Sequence, residues 1–558
     1  MSRNPETQWL VDRWQLPHEG PARELVGQLL KAEAEGSTAI ALPAGDIDWG
    51  KAASKDAGAP LVLCEGHLQS LRCHKAEETV ARWLADLVDP MKENPLTPVT
   101  EEPCDPVASL FPDARDDSAQ VQAARTALAR RLTVITGGPG TGKTYTLARI
   151  LALFVADEKN IKPELIRLAA PTGKAADRMK QAVMDTANQL ANVSWGQGPA
   201  LQRIAAQSST LHTLLGYNSS TGKCRHNAQS PLPCQVLIID ECSMVDLHLW
   251  KALLDALPAD ARLILVGDPL QLQSVGQGNV FGELVKHARA DGSPFAASLV
   301  RLTESWRFQD QPGICELAEA LERSDADAAE NLLRGANEKP ERGLRWLETG
   351  GRKLSYEKYP EAIRAAVEAV ARAGSPLEAL EALDKVCILT AHRGAFVGAD
   401  AVGMAVNKEV TARKIGPGGG RLPNQPVIIK ANDPETGLRN GAVGVLHVDT
   451  AGQRRVWFRS RHSAETEHYP VGALPDHGPA WAITIHRSQG SEYDDVLVFL
   501  PREESPLATR ELLYTAITRA KKNVYVAGTM DAVKKAVETE SGRATLLRSA
   551  LDRAAAGA

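Results

Sequence analysis

A glycine-rich octapeptide, GGPGTGKT, follows the apolar run 132–136 and opens a segment with helical periodicity. Its spacing fits a phosphate-binding loop, in which backbone N–H groups at the start of a helix surround a polyphosphate. In that pattern the lysine reaches the outer phosphates and the next hydroxyl holds Mg²⁺. We therefore predict a nucleotide site with Thr144 as a magnesium ligand. Its residues are Gly137, Gly138, Pro139, Gly140, Thr141, Gly142, Lys143 and Thr144.

Two carboxylates and an amide follow the ends of two later apolar strands. Side chains at such positions can act in nucleotide hydrolysis. Val236–Ile239 ends in Asp240 and Glu241, which we interpret as a magnesium ligand and the residue that orients the attacking water. Leu263–Val266 precedes a Gly-Asp-Pro sequence and Gln271, an amide that can contact both a γ-phosphate and the water. The alternatives are a strand that merely meets solvent and an ordinary Gly-Asp-Pro turn.

Two arginines lie beyond these strands, Arg307 in SWRF and Arg519 in TAITRAKK. Guanidinium groups stabilise the charge that develops on a transferred phosphoryl group. A solvated or salt-bridged surface arginine is the alternative, and only the neighbouring motifs favour the catalytic interpretation.

Several short polar segments that follow apolar stretches could bind DNA. Hydroxyl and N–H groups in such loops bind a sugar–phosphate backbone without reading its sequence. Helix caps and connecting turns are the alternative for the same residues. The residues concerned are Thr172, Lys174, Thr210, His212, Thr484 and His486.

Composition limits the class of protein. The chain has 558 residues, enough for about three or four domains, and is 43% hydrophobic and 24% charged, as globular proteins are. The net charge of −5 neither supports nor excludes a nucleic-acid partner. The eight cysteines form no Cys-x-x-Cys pair, which argues against a zinc or iron–sulfur site and fits a reducing cytoplasm. No segment has the character of a signal core or membrane span, so we expect a cytoplasmic protein without a membrane partner.

Strands and helices alternate along the chain, which predicts two α/β domains with parallel sheets and a nucleotide in the cleft between them. Residues 324–360 are predicted to be a connection, and residues 425–474 a small barrel-like insertion. The predicted strands are Leu132–Thr136, Leu165–Ala170, Val236–Ile239, Leu263–Val266, Val386–Thr390, Ala482–Ile485, Val496–Leu500 and Val524–Ala527.

A small region precedes these domains. Its apolar stripe at helical spacing is interpreted as the core of the small domain itself. The prolines between Pro90 and Pro112 disfavour regular structure, which predicts a linker. The stripe consists of Ala76, Val80, Trp83, Leu84 and Leu87.

Ten segments, in this order, resemble the superfamily 1 helicases and, within them, the RecD family, the alpha subunits of exodeoxyribonuclease V. They are SAQVQAA, VITGGPGTGKT, LAAPTGKAADRM, STLHTLLGY, LIIDECSM, LVGDPLQLQSVG, SWRF, PVIIKANDPETGLRNGAVGV, ITIHRSQGSE and ELLYTAITRA. The resemblance covers nearly all of residues 115–530. It implies an ATP- and Mg²⁺-dependent DNA helicase that moves 5′ to 3′ on single-stranded DNA.

The resemblance also implies roles for individual residues. Gln120 falls at the adenine-recognition position, and Glu492 at a position that contacts the nucleotide sugar. Trp306 replaces a tyrosine of the family and could stack on adenine equally well. Thr172, Thr210, His212, Thr484 and His486 fall in the DNA-contacting motifs. The hydrolysis positions are Lys143, Thr144, Asp240, Glu241, Gln271, Arg307 and Arg519.

The implied fold is α/β, with two RecA-like parallel-sheet motor domains. A partner-docking domain and linker are expected at residues 1–108, and the first motor domain at 109–330. That domain would carry a small hairpin near 217–234, which splits the duplex in relatives; a surface loop is the alternative. The second motor domain is expected at 331–558, with an SH3-like β-barrel insertion near 415–476.

The short N-terminal region has no obvious helix–hairpin–helix repeat of the kind that stand-alone relatives carry. It favours a subunit of a RecBCD-type complex with RecB-like and RecC-like partners, acting on single-stranded DNA and duplex ends in recombinational repair. The alternatives are a stand-alone 5′-to-3′ helicase, a regulatory ATPase acting on a protein partner, and a structural subunit with decayed hydrolysis. No cluster of carboxylates with a lysine suggests a nuclease, so cleavage is expected in a partner.

Overall fold

The computed structural model divides the chain into two compact units, residues 1–304 with 542–558 and residues 305–541. Each unit is built on its own parallel β-sheet. The structure describes all residues except 1–12, 15–19, 46, 50, 51, 55–58, 97–104, 112–117, 158–159, 191–197, 305–310, 414–415, 417–423, 432, 434, 449–451, 461–465 and 558.

The first unit starts with a small sheet and two helices. They are α1 (Pro21–Ala34), β1 (Ala39–Ala41), β2 (Ala53–Ser54), β3 (Leu61–Cys64), β4 (His67–Ser70) and α2 (Leu71–Leu87). The strand order is β1-β4-β3-β2, in which β4 runs antiparallel to both of its neighbours. Leu25 and Leu29 of α1 pack with Leu61 and Leu68 of the sheet, so this face has a core of its own.

The larger part of the first unit is a six-stranded parallel sheet covered by helices. Its helices are α3 (Pro106–Leu110), α4 (Ala119–Ala129), α5 (Lys143–Ala156), α6 (Gly173–Gln189), α7 (Gly198–Ala206), α8 (Leu211–Leu215), α9 (Leu247–Ala256) and α10 (Val280–Ala288). Its strands, with one β8–β9 hairpin, are β5 (Leu132–Gly137), β6 (Ile166–Ala170), β7 (Ser209–Thr210), β8 (Tyr217–Asn218), β9 (Lys223–Cys224), β10 (Val236–Ile239), β11 (Arg262–Gly267) and β12 (Leu299–Leu302).

The order of the large sheet is β12-β5-β11-β10-β6-β7, and all its pairs are parallel. Every residue of β5, β10 and β11 is buried. Continuous apolar runs of this kind are expected where helices cover both faces of a parallel sheet. The parallel α/β architecture predicted for this region is confirmed.

The helix α2 packs on the large sheet's core and not on the core of the small sheet. Ala76, Val80, Leu84 and Leu87 are fully buried in one cluster with Trp250 of α9. The prediction that this stripe is the small domain's own core is therefore wrong. Periodicity identifies which face of a helix is buried, but it does not identify the surface that covers it.

The predicted linker also contains ordered structure. The carboxylate of Asp105 accepts a hydrogen bond from the Val107 N–H at 2.9 Å and so caps α3. Pro106 occupies the first helical position, where its missing N–H is not needed. Leu110 and the following Phe111 are buried in the same core as α5. The prolines therefore start a short helix here, which contradicts the prediction that they prevent regular structure.

A hairpin stands where one was predicted. The β8 and β9 strands pair antiparallel, and the Asn218 side chain accepts hydrogen bonds from the N–H groups of Ser220 at 2.9 Å and Thr221 at 3.2 Å. The Gly222 N–H closes the turn on the Asn218 carbonyl at 2.8 Å. The fold of this segment is thus a hairpin, and its role in splitting a duplex stays a prediction.

The second unit has a five-stranded parallel sheet with an antiparallel insertion. Its helices are α11 (Pro312–Glu322), α12 (Ala326–Gly335), α13 (Glu361–Arg372), α14 (Pro376–Leu383), α15 (Ala399–Ala412), α16 (Ile485–Ser488), α17 (Arg510–Ile517) and α18 (Met530–Glu538). Its strands are β13 (Leu344–Glu348), β14 (Val386–Thr390), β15 (Gln425–Ile429), β16 (Val443–Val448), β17 (Arg454–Arg459), β18 (Thr466–Pro470), β19 (His477–Pro479), β20 (Ile483–Thr484), β21 (Tyr493–Phe499) and β22 (Ala520–Gly528).

The parallel sheet has the order β13-β22-β21-β14-β20. Residues 324–360 are therefore not merely a connection, because they contain α12 and the edge strand β13. An edge strand pairs with a neighbour on one side only. In β13, buried residues alternate with partly exposed ones. The strand therefore contains polar residues and lacks the continuous apolar run of a central strand. The strand predicted at Ala482–Ile485 is also shorter than expected, since α16 begins at Ile485.

The insertion is a five-stranded antiparallel sheet, β18-β17-β16-β15-β19. Val427, Ile429, Val456 and Phe458 form its core. The predicted β-rich character is confirmed, whereas its closure into an SH3-like barrel stays a prediction.

The last residues of the chain belong to the first unit. The final helix, α19 (Leu547–Ala556), buries Leu547, Ala550 and Leu551 in the same cluster as α2. Short 3₁₀ turns complete the described structure at Pro90–Lys92, Pro163–Leu165, Cys242–Met244, Ala296–Ser298, Pro340–Arg342, Tyr356–Lys358 and Val471–Ala473. Among all helices in the described ranges, none is both long enough and apolar enough to cross a membrane.

Candidate active site

The chemistry-bearing segments of the first unit follow neighbouring parallel strands. In the register of the sheet, Thr136 of β5 pairs with Gly267 of β11, and Leu265 of β11 pairs with Ile239 of β10. Because the three strands run in the same direction, the loops that follow them emerge at one edge of the sheet. The phosphate-binding loop, the Asp240–Glu241 pair and the Gln271 segment therefore lie at one edge of the sheet. Their positions in the sequence, which are far apart, do not by themselves place them there.

The phosphate-binding loop has the backbone that the glycines allow. Gly142, immediately before α5, has a φ of 83°, a left-handed conformation that favours glycine. A Cβ added to Gly137 would lie 2.6 Å from the Thr141 hydroxyl and 2.8 Å from the Leu302 carbonyl oxygen. The loop therefore folds back tightly on itself, and the first N–H groups of α5 are available to an anion.

The Lys143 ammonium lies across this loop. It donates hydrogen bonds to the carbonyl oxygens of Gly137 at 2.7 Å and Gly138 at 2.8 Å. Thr141 also donates to the Gly138 carbonyl, at 2.9 Å. The cation is thus held over the loop, where it can exchange a carbonyl partner for a phosphate oxygen.

Asp240 is a buried carboxylate, only 7% exposed. Burial, and then the charge of Glu241, raise the pKa of Asp240 to about 6, while the Glu241 N–H, Lys143 and Arg178 act in the opposite direction. That N–H donates to the Asp240 carboxylate at 2.8 Å. Glu241 itself has a φ of 55°, an uncommon conformation for a residue with a side chain. A buried carboxylate of this kind is well suited to a divalent cation, which compensates its charge.

Gln271 is 3% exposed and has one buried side-chain atom without a hydrogen-bond partner. Its Nε2 donates to the Asp268 carboxylate at 3.2 Å, which fixes the orientation of the amide. Its Oε1 is buried without a hydrogen-bond partner. Burying an amide oxygen without a hydrogen-bond donor costs free energy. This geometry therefore fits a residue whose oxygen accepts a hydrogen bond from a ligand or a water molecule.

Gln120 lies next to the phosphate-binding loop. A Cβ added to Gly142 would meet Gln120 Nε2 at 2.7 Å. Ser118 caps α4 by accepting from the Val121 N–H at 3.3 Å, which sets the start of the helix that carries Gln120. The structure thus brings the residue predicted for adenine recognition to the loop predicted for the phosphates.

The predicted magnesium ligands fit a cation that a nucleotide helps to hold. No group of three or more His, Cys, Asp or Glu side chains capable of holding a metal occurs in the described ranges. Mg²⁺ usually keeps waters and takes one or two protein ligands plus phosphates. Thr144 and Asp240, with phosphate oxygens, would supply that donor set, and Mg²⁺ bound there would neutralise charge on the outer phosphates.

The DNA-side residues of the first unit follow the next two strands along the sheet. The Thr172 hydroxyl, after β6, accepts from the Ala175 N–H at 3.3 Å, and Thr210, in β7, accepts from the Thr213 N–H at 3.2 Å. Both hydroxyls therefore cap helices, as the alternative interpretation holds. Lys174 is exposed, and the His212 ring meets Tyr217 of the hairpin edge-on at 5.2 Å. DNA contact by these residues stays a prediction.

Arg519 in the second unit is 2% exposed and held by main-chain oxygens. Its Nε donates to the Thr515 carbonyl at 3.0 Å and its Nη1 to the Ser491 carbonyl at 3.3 Å. Arg519 therefore lies beside Ser491, the residue immediately before Glu492. Within the second unit, Arg519 thus lies next to the segment that contains Glu492, which the family resemblance assigns to the same nucleotide site.

The other predicted residues of the second unit follow a short strand. Thr484 ends β20 and stands at the N-terminal end of α16, which contains His486. Both are partly exposed. Trp306 and Arg307 lie outside the described residues.

Sequence reasoning missed one charged contributor to the site. The charge of Arg178, on α6, acts against the burial and the Glu241 charge that raise the pKa of Asp240. Arg178 stands four residues after Lys174, which is one helical turn. The spacing puts both side chains on one face of α6 but does not identify the strand end that this face meets, so it was no specific signal for this cation.

Comparison with known proteins identifies relatives of the chain. The family profile of the AAA domain matches residues 120–277, and that of the UvrD-like helicase C-terminal domain matches residues 479–527. The chain is 39% identical over 440 residues to the RecBCD enzyme subunit RecD of Mycolicibacterium smegmatis, covering 77% of this chain and 74% of that protein.

A second relative and one solved structure extend the comparison. The chain is 30% identical over 413 residues to the ATP-dependent RecD2 DNA helicase of Deinococcus radiodurans, covering 72% of this chain and 47% of that protein. The crystal structure of the Pif1 helicase from Candida albicans aligns with a TM-score of 0.40 and 17% identity, covering 73% of this chain and 94% of that one.

Proposed function

Because the chain belongs to the RecD family of superfamily 1 DNA helicases, we propose that it is the 5′-to-3′ motor subunit of a RecBCD-type helicase–nuclease. It is an ATP-dependent DNA helicase. The direction of movement, the partners and the roles of single residues are the parts that we propose.

The observation that carries the proposal is the convergence at one sheet edge of the phosphate-binding loop, Asp240 with Glu241, and Gln271. The loop N–H groups and Lys143 would bind the outer phosphates of ATP, and Thr144 with Asp240 would hold Mg²⁺. Glu241 would orient the attacking water and accept its proton. The unpaired Oε1 of Gln271 would contact that water, so its position would report whether the γ-phosphate is present.

The remaining predicted residues complete the proposal. Gln120 would recognise adenine, and Glu492 would contact the sugar. Trp306 would stack on adenine, while Arg307 and Arg519 would stabilise charge on the transferred phosphoryl group. Thr172, Lys174, Thr210, His212, Thr484 and His486 would contact the sugar–phosphate backbone of single-stranded DNA.

We place the protein in a cytoplasmic complex with RecB-like and RecC-like subunits that acts on duplex ends. Within it, the β8–β9 hairpin would separate the strands, and the β15–β19 sheet would form an SH3-like barrel over the DNA. The small β1–β4 sheet would dock a partner subunit. The stand-alone 5′-to-3′ helicase remains the second candidate, because the chain is 30% identical to the RecD2 DNA helicase over 413 residues.

Lys143→Gln tests the motor assignment. The variant removes one cation from a loop whose backbone is otherwise preserved, so ATPase and unwinding should be abolished while the fold and assembly persist. Retained unwinding by a complex in which this chain is the only active motor would contradict the assignment. Circular dichroism and co-purification of the variant control for its folding.

DNA dependence separates the helicase from a regulatory ATPase. We expect the steady-state ATPase rate to rise steeply with single-stranded DNA, because the motor residues and the DNA-side residues follow strands of the same sheet. Equal rates with and without DNA would favour the regulatory ATPase. Purification of the native protein then separates the two helicase candidates: two large co-purifying subunits support the complex, and an active lone chain supports the stand-alone enzyme.

A further inference from the structure

A crevice of about 680 Å³ lies in the second unit, at the carboxyl ends of β13, β14, β21 and β22. The sheet order puts β14 beside β21. From β14 the chain continues through α15 to β20 on one side, and from β21 it continues through α17 to β22 on the other. In parallel α/β sheets, ligands bind where the strand order reverses in this way. The residues assigned above to hydrolysis and to the DNA backbone are not among the described residues that line this crevice.

An exposed aromatic residue, Phe396, lines this crevice. It is 66% exposed although it belongs to the loop between β14 and α15. That loop is folded back on the start of α15, because the Ala399 N–H donates to the His392 carbonyl at 2.9 Å. The Nε2 of the same histidine is hydrogen-bonded to the Ser505 hydroxyl at 2.9 Å, which ties this loop to the one after β21. The aromatic ring is thus carried on a fixed loop and is open to solvent.

The inner wall of the crevice is apolar. Leu500 and Pro501, directly after β21, are buried and line it together with the partly exposed Val397. Sites that bind small planar groups are typically about 300–1,000 Å³ in volume and mostly apolar, with a few polar groups that fix orientation. The crevice has the size and the lining of such a site.

The rim of the crevice carries both signs of charge. Two exposed arginines, Arg352 and Arg502, line it together with the exposed carboxylates of Glu503, Glu504 and Asp531. A mixed rim of this kind does not attract a phosphate strongly. It suits an uncharged planar group such as a nucleobase, whose edge offers both hydrogen-bond donors and acceptors.

The neighbouring strand end is the one predicted to contact DNA. Thr390, the last residue of β14, pairs with Thr484, the last residue of β20. Arg393, which also pairs with Asp400 at 3.3 Å, follows β14, and Arg487 follows β20. Burial, and then the charge of Arg393, lower the pKa of Arg487, so these two cations lie near each other. A sugar–phosphate backbone bound at Thr484 would therefore pass beside two arginines, with the crevice one strand away.

We propose that this crevice receives one base of the single-stranded DNA, stacked on Phe396, an inference that rests on the proposed helicase function. The contacts assigned above hold the sugar–phosphate backbone, whereas this contact would hold a base. Every base has a face that can stack on an aromatic ring, so the contact would add affinity without reading sequence. Because the loop is already fixed, it loses little conformational freedom when DNA binds.

The test compares oligothymidylate with an abasic strand of the same length, which keeps the phosphates and lacks the bases, by fluorescence anisotropy with the full chain. Phe396→Ala should raise the dissociation constant of oligothymidylate about tenfold, the effect of losing one base–aromatic stack. The dissociation constant of the abasic strand should stay within about twofold. Phe396→Trp keeps an aromatic ring and should bind both strands like the wild type. Met404→Ala, which truncates a 60% exposed apolar residue of the same unit, is the matched control and should leave both constants unchanged.

Two results would overturn the proposal while the wild type binds DNA. Unchanged oligothymidylate affinity in Phe396→Ala means that the ring does not contact a base, and if this variant also lost its partner subunits on purification, the crevice would be a protein-docking site instead. An equal loss of affinity for both strands means that the ring only supports the loop. If the wild-type chain bound neither strand, the proposed helicase function itself would fail together with the stacking role.

Discussion

Glu77 and Thr545 are 468 positions apart in the chain, and the Thr545 hydroxyl donates a 2.5 Å hydrogen bond to the Glu77 carboxylate. The same carboxylate accepts from the Thr38 hydroxyl at 2.6 Å and from the Gln69 amide at 2.8 Å. These donors come from the small sheet, its neighbouring loop and the C-terminal segment. One buried carboxylate on α2 thus joins the small N-terminal sheet and the C-terminal segment to the helix that packs on the first motor sheet.

Glu77→Gln should change how stability depends on pH. Burial raises the pKa of Glu77, against the effect of its hydrogen-bond donors. A carboxyl with a raised folded pKa stabilises the fold fully below its unfolded pKa of about 4.3, and this stabilisation is lost as the pH rises through the folded pKa. In urea unfolding, the free energy of unfolding of the wild type should therefore fall relative to the variant as the pH rises above about 4.3. Parallel pH profiles would contradict this.

Arg543→Ala should slow ATP hydrolysis indirectly, through the segment that follows Gln271. Arg543 donates to the carbonyl oxygens of Gly276 at 2.7 Å and Gly278 at 3.0 Å, and to that of Ser274. It therefore holds the segment that follows Gln271. We expect kcat of the ATPase to fall several-fold with a smaller change in KM, and the free energy of unfolding to fall by about 1.5–3 kcal/mol. Arg543→Lys keeps one charge without the forked donors and should be intermediate. An unchanged kcat in the alanine variant would mean that other contacts hold the segment.

Gln271→Leu separates a catalytic role from a structural one. Leucine removes the buried, unpaired Oε1 along with the hydrogen bond to Asp268, so the free energy of unfolding should change by no more than about 1 kcal/mol. The kcat of the DNA-stimulated ATPase should nevertheless fall about a hundredfold, as when one preorganised polar group is lost from an active site. A large loss of stability with retained kcat would assign Gln271 to the fold instead.

Two deletions should behave differently. Removal of residues 1–108 takes away α2 and exposes the core that Val80, Leu84 and Leu87 fill. Each buried leucine contributes about 2–5 kcal/mol, against a typical total stability of about 5–15 kcal/mol, so this variant should not fold. Removal of residues 1–68 keeps α2 and should retain DNA-stimulated ATPase while it loses partner co-purification. Thermal melting and pull-down measure both outcomes, and assembly of the shorter deletion would refute the docking role.

The positions of the candidate site residues at strand ends were largely predictable from sequence, because they depend on local spacing. The loop from Gly137 to Thr144 and the strand Val236–Ile239 with its carboxylates lie as predicted. Apolar runs that end in small or charged residues are the signature of buried parallel strands, and these strands are buried on both faces. The edge strand β13 was missed because a strand paired on one side carries polar residues. The helix α3 was missed because a proline at the first helical position looks like a helix breaker.

By itself, the sequence determined which functional groups the protein has and that they follow parallel strands in a fixed order. Only the tertiary structure decided which of them become neighbours. The sheet order brings the ends of β5, β11 and β10 together, and long-range packing places α2 on the motor core and Arg543 on the segment after Gln271. These contacts join residues tens to hundreds of positions apart. Local periodicity shows that a face will be buried, but the covering surface is selected by packing across the whole chain.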